Sequence, residues 1–351
     1  MGGNILVHTF ELTKNTTVSK VIKYVKELFT VEEVKKFVLK KETLKLKNPL
    51  HFPGILSVSF STYQEGYCLI RIVIEPASLI KAEKTIDLFA CNEKNRNLLK
   101  KKLNEKLTEL FKDMILSRSE CWSVSRVDYT KDVYTKYVPQ IINLIKKGKN
   151  PYRYREKKYK GSSYKVSKST VVNIYDKQDH IKNNPNLYRE DRGRLLEDSK
   201  NILRTEIQCR TNSKLRALKE KHNLNKKSNI YDYLQESISE SLFEYHVGTI
   251  LNRGDFYSQR EAYKIIEKSG WGNRKKEKIK DFLKLIAQAR SVTEARNQFI
   301  VGQHISNTKI FLKGSDGTFR NNIKELQSLG VNPILIPREW NISNLKNPLY
   351  E

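Results

Sequence analysis

The sequence predicts an α+β fold in which helices pack on a central, mostly antiparallel sheet. Segments in which apolar and polar residues alternate are typical of strands. Such segments occur at 4–12, 55–62, 67–75, 121–129, 169–176 and 202–210. Between them lie segments whose apolar residues are three or four positions apart, as on one face of a helix. The economical assembly is a sheet of five or six strands with these helices packed on it.

The first elements are a hairpin and a long helix. The segments 55–62 and 67–75 are joined by the turn sequence Tyr-Gln-Glu-Gly, which predicts a β-hairpin. From about 93 to 117, apolar residues recur at helical spacing with lysines on the other face, which predicts an amphipathic helix. The apolar residues are Leu98, Leu99, Leu103, Leu107, Leu110 and Phe111.

The next elements complete a first domain, which we place at 1–225. A helix over about 133–147 ends before Gly148, and Pro151 follows. After the strand at 169–176 comes a polar helical segment, and after the strand at 202–210 a helix begins near 212. The polar stretch 225–229 then has the composition of a linker.

The remainder, 226–351, is expected to form a smaller, mainly helical C-terminal domain. Helical spacing covers 230–251, 258–269 and the start of a helix over 274–289, with Gly270 and Gly272 between the last two. Two helices joined by a short glycine-containing turn resemble a helix-turn-helix, although any helical hairpin gives the same pattern. In the DNA-binding interpretation the contacts come from Arg274, Lys275 and Lys276.

The charge of the chain favours a polyanionic partner. In 351 residues there are 66 Lys and Arg against 39 Asp and Glu, a formal net charge of +27. Phosphate contacts release condensed counterions, so a surplus of this size suits nucleic acid. A ribosome-associated or merely basic protein from a lysine-rich genome would have a similar composition.

Cysteine usage and hydropathy indicate a soluble cytoplasmic protein. Cys68, Cys91, Cys121 and Cys209 show no Cys-x-x-Cys spacing, which suits free thiols in a reducing compartment. No apolar run approaches the roughly 18–20 residues of a membrane helix, so we expect no membrane partner.

The segment 146–168 has the composition of a single-stranded DNA contact. It contains ten Lys or Arg, one acid and four tyrosines. Cations can follow the backbone while the rings stack on unpaired bases. The alternative is a solvated loop. The predicted DNA-binding residues here are Arg153, Arg155, Lys157, Lys158, Lys160 and Lys165.

Three strand-like segments carry groups that phosphodiester chemistry uses: Asp128, Tyr175 and Glu206. A tyrosine can attack a phosphodiester, but its free pKa lies near 10, so the phenolate needs stabilisation. Lys177, two residues after the tyrosine, is expected on the same strand face and can supply it. Tyr129 is the second candidate nucleophile.

Asp128 and Glu206 are the predicted ligands of a divalent cation. Their oxygen donors suit Mg²⁺ or Mn²⁺, which would also polarise the scissile phosphate. Arg126 and Arg204 each lie two residues before the acid and could hold phosphate oxygens or balance the carboxylates. The alternative is that the tyrosine packs and that the Arg-x-acid pairs are ordinary cross-strand ion pairs.

Other reaction classes lack their motifs. The histidines form no His-x-His pair, so the histidine-pair metal site of many nickases is missing. No His-x-x-Arg precedes a late tyrosine, which argues against a tyrosine recombinase. There is no phosphate-binding Gly-x-x-x-x-Gly-Lys-Ser/Thr loop for a helicase.

The three segments together resemble the gene II/X family of phage and plasmid replication proteins, the rolling-circle initiators of filamentous phages. The similar runs are Ser-Arg-Val-Asp (125–128), Val-Asn-Ile-Tyr-Asp-Lys (172–177) and Leu-Arg-Thr-Glu-Ile-Gln-Cys-Arg (203–210). Weaker similarity at 74–79, 251–270 and 320–330 extends the resemblance over most of 50–335.

The resemblance implies a relaxase-like fold and an endonuclease that nicks origin DNA, single-stranded or as supercoiled duplex. The family's nucleophile falls on Tyr175, its acids fall on Asp128 and Glu206, and a host helicase and DNA polymerase extend the nicked strand. Where the phage proteins carry a further acid this chain has Arg71, with Glu75 further along. A non-catalytic DNA-binding regulator and an RNA-binding accessory protein are the alternatives.

Overall fold

The computed structural model describes residues 6–47, 52–64, 66–113, 115–151, 153–185, 191–225, 229–250 and 252–348. Most of the predicted linker, at 226–228, and one tyrosine of the basic segment, Tyr152, lie outside the described residues.

The strands and helices follow one another along the whole described chain. The strands are β1 Leu6–Thr17, β2 Leu44–Lys47, β3 Ile55–Gln64, β4 Tyr67–Ile74, β5 Ser123–Tyr134, β6 Arg155–Tyr159, β7 Ser162–Val166, β8 Thr170–Asp176, β9 Ile202–Cys209, β10 Phe256–Tyr257, β11 Gln303–His304, β12 Phe311–Leu312 and β13 Asn344–Leu345. The helices are α1 Val18–Leu28, α2 Val31–Lys40, α3 Pro76–Lys81, α4 Glu93–Phe111, α5 Val138–Lys146, α6 Lys177–Asn183, α7 Arg192–Asp198, α8 Asn212–Lys221, α9 Ile230–Tyr233, α10 Glu236–Ile250, α11 Gln259–Lys268, α12 Asn273–Ala289, α13 Val292–Val301 and α14 Asp316–Ser328.

The predicted α+β class is confirmed, and the sheet is larger than predicted. Nine strands pair in the order β2-β3-β4-β1-β5-β9-β8-β7-β6. Every neighbouring pair is antiparallel. The predicted hairpin is β3–β4. The three segments that carry Asp128, Glu206 and Tyr175 are β5, β9 and β8, which are consecutive neighbours in the sheet.

Three strands of this sheet were not predicted: β2, β6 and β7. The alternation in β2 covers only four residues, and β6 reads Arg-Glu-Lys-Lys-Tyr, with no apolar residue except its last. Both lie at sheet edges, where one side of the strand has no partner to bury it. Charged edge strands also resist pairing with other chains. Because β6 pairs with β7, residues 155–166 of the basic segment 146–168 form a hairpin rather than a loop.

The two faces of the sheet differ in polarity. Cross-strand partners share a face, and one face is apolar, with Phe10, Leu12, Ile72, Val127 and Ile207 buried in the main core. The opposite face is polar. Its paired residues are Ser59, Arg71, Thr13, Glu11, Arg126, Thr9, Asp128, Gln208, Thr130, Glu206, Asn173, Asp132, Arg204 and Tyr175.

Helices cover the polar face only in part. Near one end of it, Ile181 of α6 and Leu195 of α7 form a small apolar cluster with Ile86 and Ile202, separate from the main core. This cluster positions α6 directly after the strand that carries Tyr175.

The C-terminal part contains the predicted helices, with 230–251 divided into α9 and α10. Phe282, Phe299 and Phe319 from α12, α13 and α14 pack edge to face around one centre. The amide of Val292 donates to the Lys147 carbonyl at 2.9 Å, which links this part to the end of α5. Apolar residues of both parts belong to one continuous core.

The predicted helix-turn-helix corresponds to α11 and α12. α12 buries one side, including Ile279 and Phe282, in the C-terminal core. Of the predicted DNA contacts at its start, Lys275 pairs with Glu325 at 2.8 Å and Lys276 with Glu267 at 3.6 Å, whereas Arg274 is exposed. DNA reading by this element stays a prediction.

Within the described part of the chain, none of the helices combines the length and the apolar character needed to cross a bilayer.

Candidate active site

Three adjacent strands bring the predicted catalytic residues together on the polar face. In the strand register, Tyr175 of β8 lies opposite Arg204 of β9, which lies opposite Asp132 of β5. Glu206 is two residues from Arg204 on the same strand and so shares this face. Residues far apart in sequence thus form one row across the sheet.

Tyr175 and Glu206 form the central contact of this site. The Tyr175 hydroxyl donates to Glu206 Oε1 at 2.6 Å, and both side chains are buried. Burial by itself would raise the pKa of the Glu206 carboxyl, but the neighbouring His8 ring and the tyrosine hydroxyl outweigh it and lower the pKa. An ionised carboxylate therefore accepts a hydrogen bond from the Tyr175 hydroxyl.

Glu206 is connected to a second glutamate through His8. His8 Nδ1 lies 3.1 Å from Glu206 Oε1, and His8 Nε2 lies 3.4 Å from Glu75 Oε1. Burial lowers the pKa of His8, but the charge of Glu206 and hydrogen bonds to both carboxylates raise it above its ordinary value. Lys84 Nζ donates to the other oxygen of Glu75 at 2.7 Å. The geometry is that of an imidazolium between two carboxylates.

A β-bulge in β1 explains why His8 faces this site. The pairing of β1 with β5 shifts between Val7 and Thr9, so His8 has no partner in the register. Val7 is fully buried on the apolar side, whereas Thr9 donates to Asp128 on the polar side. Bulges re-aim side chains in this way. The extra residue lets His8 turn to the polar face beside Thr9.

Lys177 is the first residue of α6 rather than a strand residue, so the prediction that it shares a strand face with Tyr175 is wrong. Asp176 caps the helix by accepting from the Asp179 amide at 3.0 Å. Burial, followed by the positive charge of Arg204, lowers the pKa of Lys177 to about 7. The His180 ring lies 5.1 Å from the Tyr175 ring, and burial and Lys177 lower the pKa of His180 to about 4.

Arg204 is a buried structural cation beneath the site. Its side chain is 0% exposed, and Nε and Nη2 donate to the two oxygens of Asp132 at 2.7 and 2.6 Å. Nη2 also donates to the Ile86 carbonyl at 2.6 Å. This buried guanidinium is not placed for the predicted DNA contact. Of the two predicted roles of Arg204, balancing a carboxylate fits the geometry.

The predicted metal ligands are in different environments. Asp128 is buried, receives both Nε and Nη2 of Arg126 and accepts from Thr9. In the register Asp128 lies opposite Gln208, while Glu206 lies opposite Thr130. No three His, Cys, Asp or Glu side chains are placed to hold a metal ion within the ranges that the structure describes. Asp128 pairs with Arg126 and Glu206 pairs with His8, so the two carboxylates do not face each other as ligands of one Mg²⁺ or Mn²⁺ ion.

The basic hairpin β6–β7 borders the catalytic strand. Ser162 lies opposite Tyr175, so the turn at Lys160 and Gly161 is next to the tyrosine. Lys146 Nζ donates to the carbonyl groups of Tyr159 and Lys160 at 2.7 Å, which holds the turn. A Cβ at Gly161 would lie 2.5 Å from Asp179 Oδ2, so a larger residue at this turn would displace that carboxylate.

The predicted DNA-binding residues of the hairpin divide into two groups. Arg153, Arg155, Lys157 and Lys160 are exposed. Lys165 is buried, lies 3.4 Å from Glu156, and has a pKa lowered by burial, so it is not placed for DNA contact. For Lys158 the structure describes only its position in β6. The exposed side of the hairpin also carries the rings of Tyr159 and Tyr164, whose centroids are 5.6 Å apart.

Sequence reasoning missed several members of the site: His8, Lys84, Asp132 and His180. They lie on β1, after α3, at the end of β5 and on α6, outside the motifs that indicated function. Glu75 was noticed only as an acid beyond Arg71. Arg71 lies within β4, four residues before Glu75, and pairs with Glu11 at 3.1 Å. The ordinary residue types of these positions gave no signal, because their shared location depends on the sheet order.

No protein-family model, curated protein or solved structure matches this chain. The geometry of the site and the charge of the molecule are therefore the observations that bear on function.

Proposed function

We propose that the chain cleaves and rejoins a DNA strand through a covalent bond to Tyr175. The observation that supports this most directly is the hydrogen bond from the Tyr175 hydroxyl to the ionised Glu206 in a protein of formal charge +27. More particularly, we propose a rolling-circle replication initiator similar to the gene II/X proteins, with a host helicase and polymerase as its partners.

In the proposed step Tyr175 Oη attacks the phosphorus of a DNA phosphodiester. A bond forms between Oη and phosphorus, and the bond from phosphorus to one deoxyribose oxygen breaks. That oxygen leaves as a hydroxyl after taking a proton from water, and Glu206 afterwards returns the phenolic proton to water. The phenolic proton moves to Glu206 as the Oη–phosphorus bond forms, because bond formation makes that proton far more acidic. The phosphotyrosine conserves the energy of the broken bond, so reversal by a DNA hydroxyl closes the strand.

Cations next to the tyrosine can stabilise the charge that develops on the phosphoryl oxygens. His8, Lys84 and Lys177 surround the two glutamates. Such charges are effective in a site with little water because they need no reorganisation during the reaction. A requirement for Mg²⁺ or Mn²⁺ stays part of the proposal, but the attack by Tyr175 and the proton transfer to Glu206 do not depend on it.

Covalent capture tests this function without knowledge of the origin. Random single-stranded DNA and the full chain are incubated with Mg²⁺ or Mn²⁺ and, in parallel, with a chelator. Adducts that survive sodium dodecyl sulfate are recovered and sequenced, and a supercoiled plasmid carrying the recovered sequence is tested for relaxation. Relaxation with protein attached supports the proposal. Repeated retention of one DNA sequence by the protein without any adduct instead supports the non-catalytic regulator.

The exposed lysines of β6–β7 are expected to contribute to DNA affinity. Lys157→Glu/Lys160→Glu should weaken binding of single-stranded DNA and reduce the slope of log affinity against log salt by at least about 1.4, since each lost phosphate contact removes about 0.7. Lys94→Glu/Lys101→Glu, at exposed positions of α4, is the matched control. An equal effect of both pairs on the slope would show that the hairpin has no specific role.

Lys177 is expected to destabilise the fold at low pH. Its pKa is about 7 in the folded chain and near 10.4 in an unfolded one. Below pH 7 both states are protonated and the folded state bears a buried charge. Between about pH 7 and 10 the unfolded state binds the extra proton, so the free energy of unfolding rises with pH by up to about 1.4 kcal/mol per unit.

Lys177→Met should therefore be more stable than the wild type at pH 6, by roughly 2–4 kcal/mol, with a smaller difference at pH 9. Urea unfolding of both proteins at the two pH values measures this. Equal differences at the two pH values would contradict a depressed pKa of Lys177.

A further inference from the structure

A cavity of about 680 Å³ lies beside the turn between β3 and β4. It lies at the far end of the sheet from Tyr175. Its lining residues come from the end of β1, the start of α1, the β3–β4 hairpin and the segment after α4. They include Lys14, Lys20, Lys23, Tyr63, Tyr67 and Asp113.

Tyr63 and Tyr67 give this cavity two accessible aromatic rings. They are 47% and 49% exposed, and their centroids are 6.3 Å apart with an interplanar angle of 34°. Rings left half in water forgo much of the stabilisation that burial of an aromatic side chain provides. Paired exposed rings next to cations are typical of platforms on which unpaired bases stack.

Three lysines surround these rings. Lys20 and Lys23 are exposed in α1, and Lys14 Nζ donates to the Cys121 carbonyl at 2.7 Å. Asp113 is the only acidic side chain among the described lining residues, and its Oδ1 accepts from the amides of Ile115 and Leu116 at 2.9 Å. That carboxylate oxygen is engaged in a local turn, so the cavity presents a net positive charge.

Hydroxyl groups add donors suited to phosphate oxygens. Thr16, Thr17 and Ser19 line the cavity, and the hydroxyls of Thr17 and Ser19 are 2.9 Å apart. Side-chain hydroxyls and lysines together are the usual contacts of a nucleic-acid backbone. Stacking rings, cations and hydroxyls thus meet at one cavity.

The register shows that this cavity is remote from the proposed chemistry. Tyr175 lies level with Asp132 on β5, whereas Ser123, nine residues earlier on β5, lies opposite Thr13 of β1. Thr17, a further four residues along β1, lies opposite Tyr67. At about 3.3 Å per residue the separation is roughly 40 Å along the strands. A ligand here cannot touch the phosphate attacked by Tyr175.

We propose that this cavity is a second binding site for single-stranded DNA, with an unpaired base on Tyr63 and Tyr67 and phosphates at Lys14, Lys20 and Lys23. This second site depends on the proposed function in one respect, which is that the substrate is DNA. The rings fit unpaired bases because a duplex hides its base faces within the stack. The site would hold a displaced strand away from the point of cleavage.

Binding of fluorescent oligothymidylate to the full chain tests this site independently of cleavage. In a Tyr175→Phe background, Tyr63→Ala/Tyr67→Ala should bind at least about fivefold more weakly, since one stacked base contributes about 1–3 kcal/mol. Tyr63→Phe/Tyr67→Phe keeps both rings and should bind within about twofold of its parent. Circular dichroism confirms that each variant is folded.

The cationic part is tested with a pair of lysines. Lys20→Gln/Lys23→Gln should lower the salt slope by about 1.4, whereas Lys35→Gln/Lys40→Gln, at exposed positions on α2, should leave it unchanged. Photocrosslinking with iodo-deoxyuridine oligonucleotides should label the peptide that contains Tyr63 and Tyr67.

Unchanged affinity in the alanine variant, or crosslinks confined to the β6–β7 hairpin, would overturn this site. Tighter binding of oligouridylate that is lost in the alanine variant would overturn the choice of DNA and indicate RNA. The site and the proposed function fail separately. Loss of binding in the alanine variant supports the site even where the wild type forms no covalent adduct.

Discussion

Tyr175→Phe should abolish the covalent protein–DNA adduct and all nicking, while single-stranded DNA binding stays within about twofold of wild type. The substitution removes only the attacking oxygen, and the ring keeps its place between β8 and His180. The proposed bond to phosphorus needs that oxygen, so the expected loss is complete rather than partial. Gel analysis of adducts with end-labelled DNA gives the measurement.

The matched control is Tyr134→Phe. Tyr134 is a tyrosine at the end of β5, 73% exposed, whose loss should leave the adduct unchanged. Tyr129, the second nucleophile candidate from sequence, is a poor one. It is fully buried on the apolar face, donates to the Tyr233 carbonyl at 2.9 Å, and burial raises its pKa. An adduct that persists in Tyr175→Phe would refute the proposed nucleophile and direct attention to Tyr134.

The folded state should respond only moderately to Tyr175→Phe. Glu206 loses a hydrogen-bond donor but keeps His8, so we expect a loss of about 1–3 kcal/mol in the free energy of unfolding. The variant should therefore stay folded, and a missing adduct can be attributed to the missing hydroxyl.

Asp132→Asn should cost about 3–5 kcal/mol of stability, the largest effect expected outside the core. Arg204 is completely buried, and both oxygens of Asp132 accept from it. Its Nη1 already has no hydrogen-bond partner among the described residues. Removing the negative charge leaves a buried guanidinium without its nearest counter-charge. Urea unfolding at neutral pH measures the loss.

Asp198→Asn is the matched control because Asp198 also pairs with an arginine, Arg194, at a more exposed position. Exposed pairs contribute about 0–1 kcal/mol. The double substitution Asp132→Leu/Arg204→Met should recover part of the loss, since no charge is then buried. Equal effects of Asp132→Asn and Asp198→Asn would show that Arg204 obtains its compensation elsewhere.

Local sequence patterns were sufficient to predict the fold class and most strands of the nine-stranded sheet. Alternation over seven or more residues is a property of contiguous chain, so it predicted the β3–β4 hairpin and the strands that carry Asp128, Tyr175 and Glu206. The same local information failed for β6, because charged residues at a sheet edge carry little apolar alternation, and for β7, because its five residues, Ser-Ser-Tyr-Lys-Val, contain little alternation to detect.

The pairing of the charged side chains depends on the order of the strands in the sheet. Asp128 and Glu206 looked equivalent in sequence, since each follows an arginine by two residues. In the sheet Arg126 turns to its own neighbour Asp128, whereas Arg204 turns across to Asp132 and leaves Glu206 to Tyr175 and His8. The sheet order β1-β5-β9-β8 and the bulge at His8 produce this arrangement. The partners of a buried charge depend on which strands are adjacent, and sequence spacing does not contain that information.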